Sequence, residues 1–234
     1  MDTQSIVDQF NSVSGGTGMS FTYGFRYEVQ IQQYGSGFAD TSAYASGLTA
    51  GSNSFQTFCI QPNVSAYTNM AATLNYENDR STTTSGHFLT IGVAYLYSQF
   101  AAGTLTGYDY EETPARSSCY TDVTYAIRCL MGIYTTSDWT IPFLDTLLSI
   151  NSSKTFWTTE YDPNQYYEVI GDYKVFVMNN TQYGNSNKDG QDFLYVACAS
   201  GSSNVPEPAT LLLWGLGSLG AYRIARKRKF QVWK

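Results

Sequence analysis

FTYGFRYEVQIQ, residues 21–32, alternates apolar and polar side chains without interruption. Its odd-numbered residues are aromatic or β-branched, and its even-numbered residues include Arg26, Glu28 and Gln30. Because successive side chains of a strand point to opposite faces of the sheet, this period predicts one half-buried antiparallel strand. A β-sheet is therefore expected at the core of the fold.

Three more segments are predicted to be strands. Residues 54–61 form one of them, and residues 172–178 and 192–198 form two more, joined by a turn-rich segment as a long-looped hairpin. Between these strands, apolar residues at helical spacing with turn signals at their ends predict helices in residues 87–102, 119–132 and 141–150. The predicted fold class is α+β, an antiparallel sandwich-like or barrel-like sheet core with a helical insertion in mid-chain.

The last thirty residues differ in composition from the rest. Residues 205–234 read VPEPATLLLWGLGSLGAYRIARKRKFQVWK, in which a Pro-Glu-Pro tripeptide precedes an apolar run and a basic cluster. Pro206 and Pro208 disfavour helix and leave an extended strip. As a helix, residues 209–225 would be about 25 Å long, the short end of what crosses a bilayer core. We expect one C-terminal transmembrane helix with its basic end in the cytoplasm.

This order of features resembles a PEP-CTERM sorting signal, which occurs on exported bacterial proteins. The resemblance is carried by the tripeptide Pro206, Glu207 and Pro208 and by the basic residues Arg223, Arg226, Lys227, Arg228 and Lys229. It implies an exosortase, a membrane-embedded transpeptidase, as the partner that recognises and cleaves the tail. It also implies transient anchoring in the inner membrane through residues 209–225, then a cell-surface or extracellular location, and a link to exopolysaccharide and biofilm. An ordinary C-terminal membrane anchor with a Pro-rich hinge is the alternative.

Export normally begins with an N-terminal signal peptide. Residues 1–18 lack both the basic start and the continuous apolar stretch of such a peptide. Two explanations are open, a start codon placed too far downstream or loss of the export signal. We expect the first, because a sorting tail has no use on a chain that never meets the secretion machinery.

Charge is distributed unevenly along the chain. Six of the 13 Lys and Arg residues lie in residues 223–234, which leaves seven against 19 acidic residues and a net charge of −12 for residues 1–208. Such a body is not expected to bind nucleic acid. With 20 Tyr, 20 Gly and only 14% charged residues, it is typical of secreted β-rich proteins. The predicted organisation is a globular domain 1–198, a polar spacer 199–204 and a sorting signal 205–230.

The body also resembles a domain common among PEP-CTERM proteins and is similar to the thioester domains of bacterial surface adhesins. The similarity rests on SFQTFCI at residues 54–60, AYLYSQF at 94–100, GTL at 103–105 and the Ala126-Ile127 pair. In that pattern a Cys, here Cys59, bonds a Gln two residues before the Ala. This chain has Thr124 at the Gln position and Arg128 at the Trp position. Since threonine has no carboxamide, the resemblance implies the fold without a thioester.

The four cysteines leave several pairings open. Cys59 is interpreted as a buried strand cysteine or a disulfide partner, with a reactive thiol as the alternative. Cys119 and Cys129 lie ten residues apart on one predicted helix, about 15 Å along its axis, and cannot bridge each other. One or two disulfides that include Cys59 or Cys198 are compatible with an exported chain.

Candidate catalytic residues are few. His87 is the single histidine, and the loop with Asp109, Glu111 and Glu112 could supply a carboxylate pair or weak calcium ligands, although adjacent residues in a turn point apart. We therefore predict a non-enzymatic surface or matrix protein without cofactor or metal. The alternative is a secreted hydrolase with the same tail, which requires a pocket at His87 or at the 109–112 loop.

Overall fold

The computed structural model describes residues 2–14, 19–23, 29–33, 41–49, 54–62, 64, 70–76, 82–111, 113–182 and 185–199. The chain divides into two compact units, Met1–Gly201 and Ser202–Lys234. All described residues belong to the first unit. The predicted spacer beyond residue 199 and the predicted sorting signal, 205–230, lie outside the described residues.

In the described residues, seven strands form one antiparallel sheet. Their bounds are β1 Met19–Tyr23, β2 Val29–Gln33, β3 Ser54–Thr57, β4 Met70–Asn75, β5 Tyr173–Gln182, β6 Asn185–Asp189 and β7 Phe193–Cys198. The strand order is β3-β2-β1-β4-β5-β6, and β7 pairs with β5 as well. The strands predicted at 54–61, 172–178 and 192–198 are confirmed as β3, β5 and β7.

The single strand predicted for residues 21–32 is wrong, because the described residues of this segment belong to two paired strands. β1 pairs with β2 antiparallel, with Phe21 opposite Ile31 and Tyr23 opposite Val29. This register pairs odd-numbered residues with odd-numbered residues. Since directly opposed residues of an antiparallel pair share a face, the alternation continues unchanged from one strand to the next. A period of two therefore cannot separate one long strand from a hairpin of this register.

Strand β5 joins the two halves of the sheet. Residues 177–182 pair with β4, and residues 173–178 pair with β7. The chain after β3 also reaches β7, through an isolated bridge between Cys59 and Phe193. Beside it, the Thr57 hydroxyl donates to the Leu194 carbonyl oxygen (2.6 Å) and accepts from the Leu194 backbone N–H (3.1 Å). β7 is therefore held on both edges and is buried over Phe193–Ala197.

Four helices lie between β4 and β5, namely α2 Ile91–Ala101, α3 Pro114–Leu130, α4 Leu144–Ile150 and α5 Lys154–Thr158. The helices predicted at 87–102, 119–132 and 141–150 are confirmed as α2, α3 and α4. The hydroxyls of Thr90, Thr113 and Ser153 cap α2, α3 and α5. α2 is buried on nearly all sides and packs against β5, β7, α3 and α5. The helices thus cover the sheet through α2.

Helix α1, Thr3–Ser14, was not predicted. Ile6, Val7 and Phe10 are buried, and the Phe10 ring lies 4.9 Å from the Tyr195 ring, centroid to centroid. Asn11 Oδ1 accepts a hydrogen bond of 2.8 Å from the backbone N–H of Leu74 in β4. The spacing of the three apolar residues is that of one helix face. This spacing is the sequence signal for α1. Residues 1–18 are tested from the sequence only for a signal peptide, and this spacing is not used there.

The predicted fold class is corrected in two respects. The described residues have α+β content, but their strands form one small antiparallel sheet, because β5 links both halves. In addition, none of the described helices is both long and apolar enough to span a membrane. α2 is apolar but has only 11 residues, and the 17-residue α3 carries Arg116, Asp122 and Arg128. The transmembrane helix predicted at 209–225 lies outside the described residues.

Candidate functional site

Cys59 lies two residues after β3, where an isolated bridge pairs it with Phe193 of β7, and Arg128 of helix α3 contacts this point. Arg128 Nη2 donates a hydrogen bond of 3.1 Å to the carbonyl oxygen of Cys59, and Arg128 Nη1 donates one of 3.3 Å to the Tyr134 hydroxyl. Burial raises the pKa of the Cys59 thiol to about 12, and the Arg128 charge only partly opposes this effect. The thiol is therefore protonated at neutral pH, which agrees with a structural strand cysteine.

Thr124 occupies the position where the thioester pattern has glutamine. Its side chain is buried in α3, and its hydroxyl donates to the Tyr120 carbonyl oxygen one turn earlier (2.8 Å). The hydroxyl is thus used within its own helix. All four cysteines are described and have free thiols. Cys119 and Cys129 both lie on α3, which confirms that they cannot bridge each other.

His87 lines an open groove of about 480 Å³. The lining residues come from three segments: Gly86, His87, Phe88 and Thr90; Cys129, Leu130, Met131 and Gly132; and Thr158 and Glu160. His87 Nδ1 lies 3.3 Å from the Met131 carbonyl oxygen. A carbonyl can only accept, so Nδ1 carries the proton in this contact. The groove is where the sequence placed a possible hydrolase site.

Several contacts fix the walls of this groove, which we call the His87 groove. Asp192, fully buried next to β7, accepts hydrogen bonds from the Thr84 backbone N–H (2.7 Å) and hydroxyl (3.1 Å). The Thr90–Glu160 bridge joins the start of α2 to the chain after α5. Leu130, buried at the end of α3, forms part of the floor. The groove therefore lies on rigid elements.

Cys129 is the only thiol among the described lining residues of the His87 groove. Burial raises its pKa, and a hydrogen bond with the Tyr125 hydroxyl opposes that rise without cancelling it. A thiol with a raised pKa is a poor nucleophile at neutral pH. His87 and Glu160 are the groups in this groove that could move a proton. The sequence did not indicate Glu160, Cys129 or Thr158, because only the fold brings these distant segments beside His87.

The loop at 109–112 does not form a carboxylate pair among its described residues. Asp109 Oδ1 accepts from the Glu111 backbone N–H (2.9 Å), and Oδ2 accepts from the Thr113 hydroxyl. These bonds lower the pKa of Asp109, with a further contribution from the Arg116 charge. Glu111 is exposed, and Glu112 lies outside the described residues. Asp109 thus organises the turn before α3.

A second groove, of about 380 Å³, lies between α3 and α4. Asp122, Asp145 and Cys119 contribute to its lining, together with Phe143. Phe143 has a positive φ of 68°, which is unusual for a residue with a side chain. In the described part of the chain, no three His, Cys, Asp or Glu side chains are grouped closely enough to hold a metal ion.

Comparison with known proteins identifies the tail. Residues 204–229 match the PEP-CTERM protein-sorting motif, a range that includes the tripeptide 206–208 and all five predicted basic residues. No curated protein and no solved structure matches the chain. The similarity of the body to thioester domains therefore has no support from relatives. The chain carries the motif of exported proteins that undergo membrane-associated sorting by an exosortase.

Proposed function

We propose that this chain is an exported, non-enzymatic cell-surface or extracellular-matrix protein whose tail an exosortase cleaves at or beside residues 206–208. The match of residues 204–229 to the sorting motif carries the proposal. Three features follow one another within that range: the Pro-Glu-Pro strip, the apolar run and the basic cluster. A protease can bind an extended strip that prolines keep out of helix.

The surface role of the body is supported by its composition and charge. Residues 1–208 carry a net charge of −12 and many hydroxyl side chains, which suits a protein exposed outside the cell. The thiols of Cys59 and Cys129 have raised pKa values and are unsuited to nucleophilic catalysis near neutral pH. The resemblance of the tail supports a link to exopolysaccharide and biofilm.

The test is the intact mass and C-terminal peptide of the protein recovered from its native cells. We expect a C-terminus within or next to residues 206–208. A variant with Pro206, Glu207 and Pro208 replaced by alanine should retain the tail. Alanines at Ser202 and Ser203, in the neighbouring spacer, form the matched control and should leave processing unchanged. A wild-type chain that still ends at Lys234 would contradict the proposal.

A secreted hydrolase is the second candidate, and one observation favours it. His87 and Glu160 line the same groove, as an acid/base pair would require. If the groove is catalytic, purified chain should release shorter products from a polysaccharide. A His87→Ala variant should then lose this activity while its urea midpoint stays close to that of the wild type. Absence of products from wild-type protein would reject this candidate for the substrate tested.

A further inference from the structure

Two exposed aromatic side chains flank the His87 groove. Phe88, which lines it, is 40% exposed, and Tyr125 is 42% exposed. Tyr125 lies one helical turn before the lining residue Cys129 on α3, so it borders the groove without lining it. Each of these residues keeps about two fifths of its surface accessible beside the same groove. Accessible aromatic surface next to a groove can stack on a ligand, so the two rings indicate a binding surface.

The Tyr125 ring is held in place. It lies 5.6 Å from the Tyr134 ring, centroid to centroid, and the Arg128 guanidinium lies 5.7 Å from the Tyr134 ring centroid. Arg128 in turn is hydrogen bonded to the Tyr134 hydroxyl and to the Cys59 carbonyl oxygen. The exposed ring thus rests on a cluster anchored in the body. Because the ring is already held in place, little conformational entropy of the protein is lost when a ligand stacks on it.

The groove presents hydrogen-bonding groups beside an apolar floor. The polar lining comprises an imidazole, two hydroxyls and a carboxylate, and the floor comprises Leu130 and Met131. The Thr158 hydroxyl donates to the Lys154 carbonyl oxygen (3.1 Å), so its oxygen can still accept. Pockets of about 300–1,000 Å³ with apolar walls and few polar groups are typical of small-ligand sites. Sugar rings match this pattern, since they carry C–H faces and hydroxyl edges.

Charge distinguishes between kinds of carbohydrate. Among the described residues that line the groove there is no Lys or Arg, but there is one acidic residue, Glu160. Residues 1–208 as a whole carry a net charge of −12. Uronic-acid polymers and phosphorylated ligands would therefore meet repulsion, which neutral sugars avoid.

We propose that the His87 groove binds a neutral oligosaccharide. Phe88 and Tyr125 stack on the sugar faces, while His87, Thr158 and Glu160 bond the hydroxyl edges. The inference rests on the proposed non-enzymatic surface function and gives it a ligand class and a site. The groove then serves adhesion to polysaccharide and leaves the glycosidic bonds intact.

The test uses the full 234-residue chain and calorimetric titration with cellotetraose, laminaritetraose and maltotetraose as neutral probes. Tetragalacturonate is the anionic comparison. We expect at least one neutral probe to bind. Phe88→Ala and Tyr125→Ala should each weaken that binding about fivefold, the effect of losing one aromatic contact. Tyr166→Ala is the matched control, since Tyr166 is 73% exposed and is not a lining residue.

Several results would overturn the inference. They are failure of all three neutral probes to bind at millimolar concentration, tighter binding of tetragalacturonate, or an equal loss in Tyr166→Ala. Chain shortening of a bound probe would instead make the groove catalytic. Urea midpoints of the variants exclude unfolding as the cause of a loss. The tail is processed without using the groove, so the two proposals can fail separately. If Phe88→Ala is processed normally while the wild type binds no sugar, this inference is refuted and the proposed function stands.

Discussion

Arg128 on α3 donates a hydrogen bond of 3.1 Å to the backbone carbonyl oxygen of Cys59, the residue after β3 that bridges to Phe193 of β7. Both residues lie at positions of the thioester-domain pattern: Cys59 occupies the cysteine position, and Arg128 stands where the pattern has tryptophan. The fold brings them together, although Thr124 excludes the covalent bond. At this position a charged hydrogen bond ties helix α3 to the sheet.

Replacing Arg128 by alanine should lower the free energy of unfolding. The loss removes a charged donor from the Cys59 carbonyl and from the Tyr134 hydroxyl, and we expect about 1.5–3 kcal/mol. Urea unfolding followed by tryptophan fluorescence measures it. The control is Tyr166→Ala, a side chain that is 73% exposed, which should stay within about 0.5 kcal/mol. Equal midpoints for Arg128→Ala and wild type would show that the link does not stabilise the fold.

Gly92→Ala should destabilise the protein although alanine favours helix. A Cβ at Gly92 would lie 2.8 Å from Leu130 Cδ2 and 2.9 Å from the Trp157 carbonyl oxygen, where α2 meets α3 and α5. We expect a loss of about 1–3 kcal/mol from overpacking, larger than the helix gain of about 1 kcal/mol.

Gly47→Ala is the control for this packing effect, because no atom lies within 4 Å of a Cβ built there. Thermal unfolding of both variants compares them directly. We expect a lower Tm only for Gly92→Ala. A raised Tm in that variant would mean that the α2–α5 interface is looser than described.

Asp192→Ala should destabilise the segment that carries His87. The carboxylate accepts from the Thr84 backbone N–H, the Thr84 hydroxyl and, at 3.3 Å, the Asn180 backbone N–H. The Asn180 N–H is buried, and a buried donor without an acceptor costs about 1–3 kcal/mol. Hydrogen exchange should increase at residues 83–87 in particular, and urea unfolding should shift. Asp8→Ala, at an exposed position of α1, is the control. Equal exchange in both variants would contradict this role of Asp192.

Stability should fall as the pH rises above 9. Burial raises the pKa of the Cys59 thiol from 9.0 to about 12 and raises the pKa of Tyr97. Between pH 9 and pH 12 the folded chain keeps the Cys59 proton, whereas the unfolded chain releases it. The stability that comes from burying the neutral thiol is therefore fully present below pH 9 and is lost as the pH rises towards 12. Urea midpoints at pH 7, 9 and 10 should decline less steeply for Cys59→Ala. Parallel curves, after correction for the difference at pH 7, would contradict the burial of this thiol.

Much of the helical structure was predictable because its signals are local. α2, α3 and α4 have apolar residues at helical spacing, and capping hydroxyls stand before α2 and α3. The β1–β2 pair was not predictable, since its register preserves the odd–even alternation through both strands. Strand order was equally hidden, because pairing depends on contacts between distant residues.

The His87 groove was predicted only in part. The sequence offered His87 as a lone candidate without partners. Glu160 and Cys129 stand beside it because α3 ends next to the start of α2 and because Thr90 bridges to Glu160. The linear sequence gives no spacing rule for residues that three separate segments contribute.

The sequence by itself determined that this protein carries a sorting signal. A sorting motif consists of contiguous residues, and its tripeptide, apolar run and basic cluster can be recognised without a fold. Only the tertiary structure decided three other features. Arg128 is hydrogen bonded to the Cys59 carbonyl oxygen, β5 joins the two halves of the sheet, and His87 lines the same groove as Glu160. The physical reason is the range of the interactions. Local order follows from neighbouring residues, whereas a groove and a sheet order depend on long-range packing.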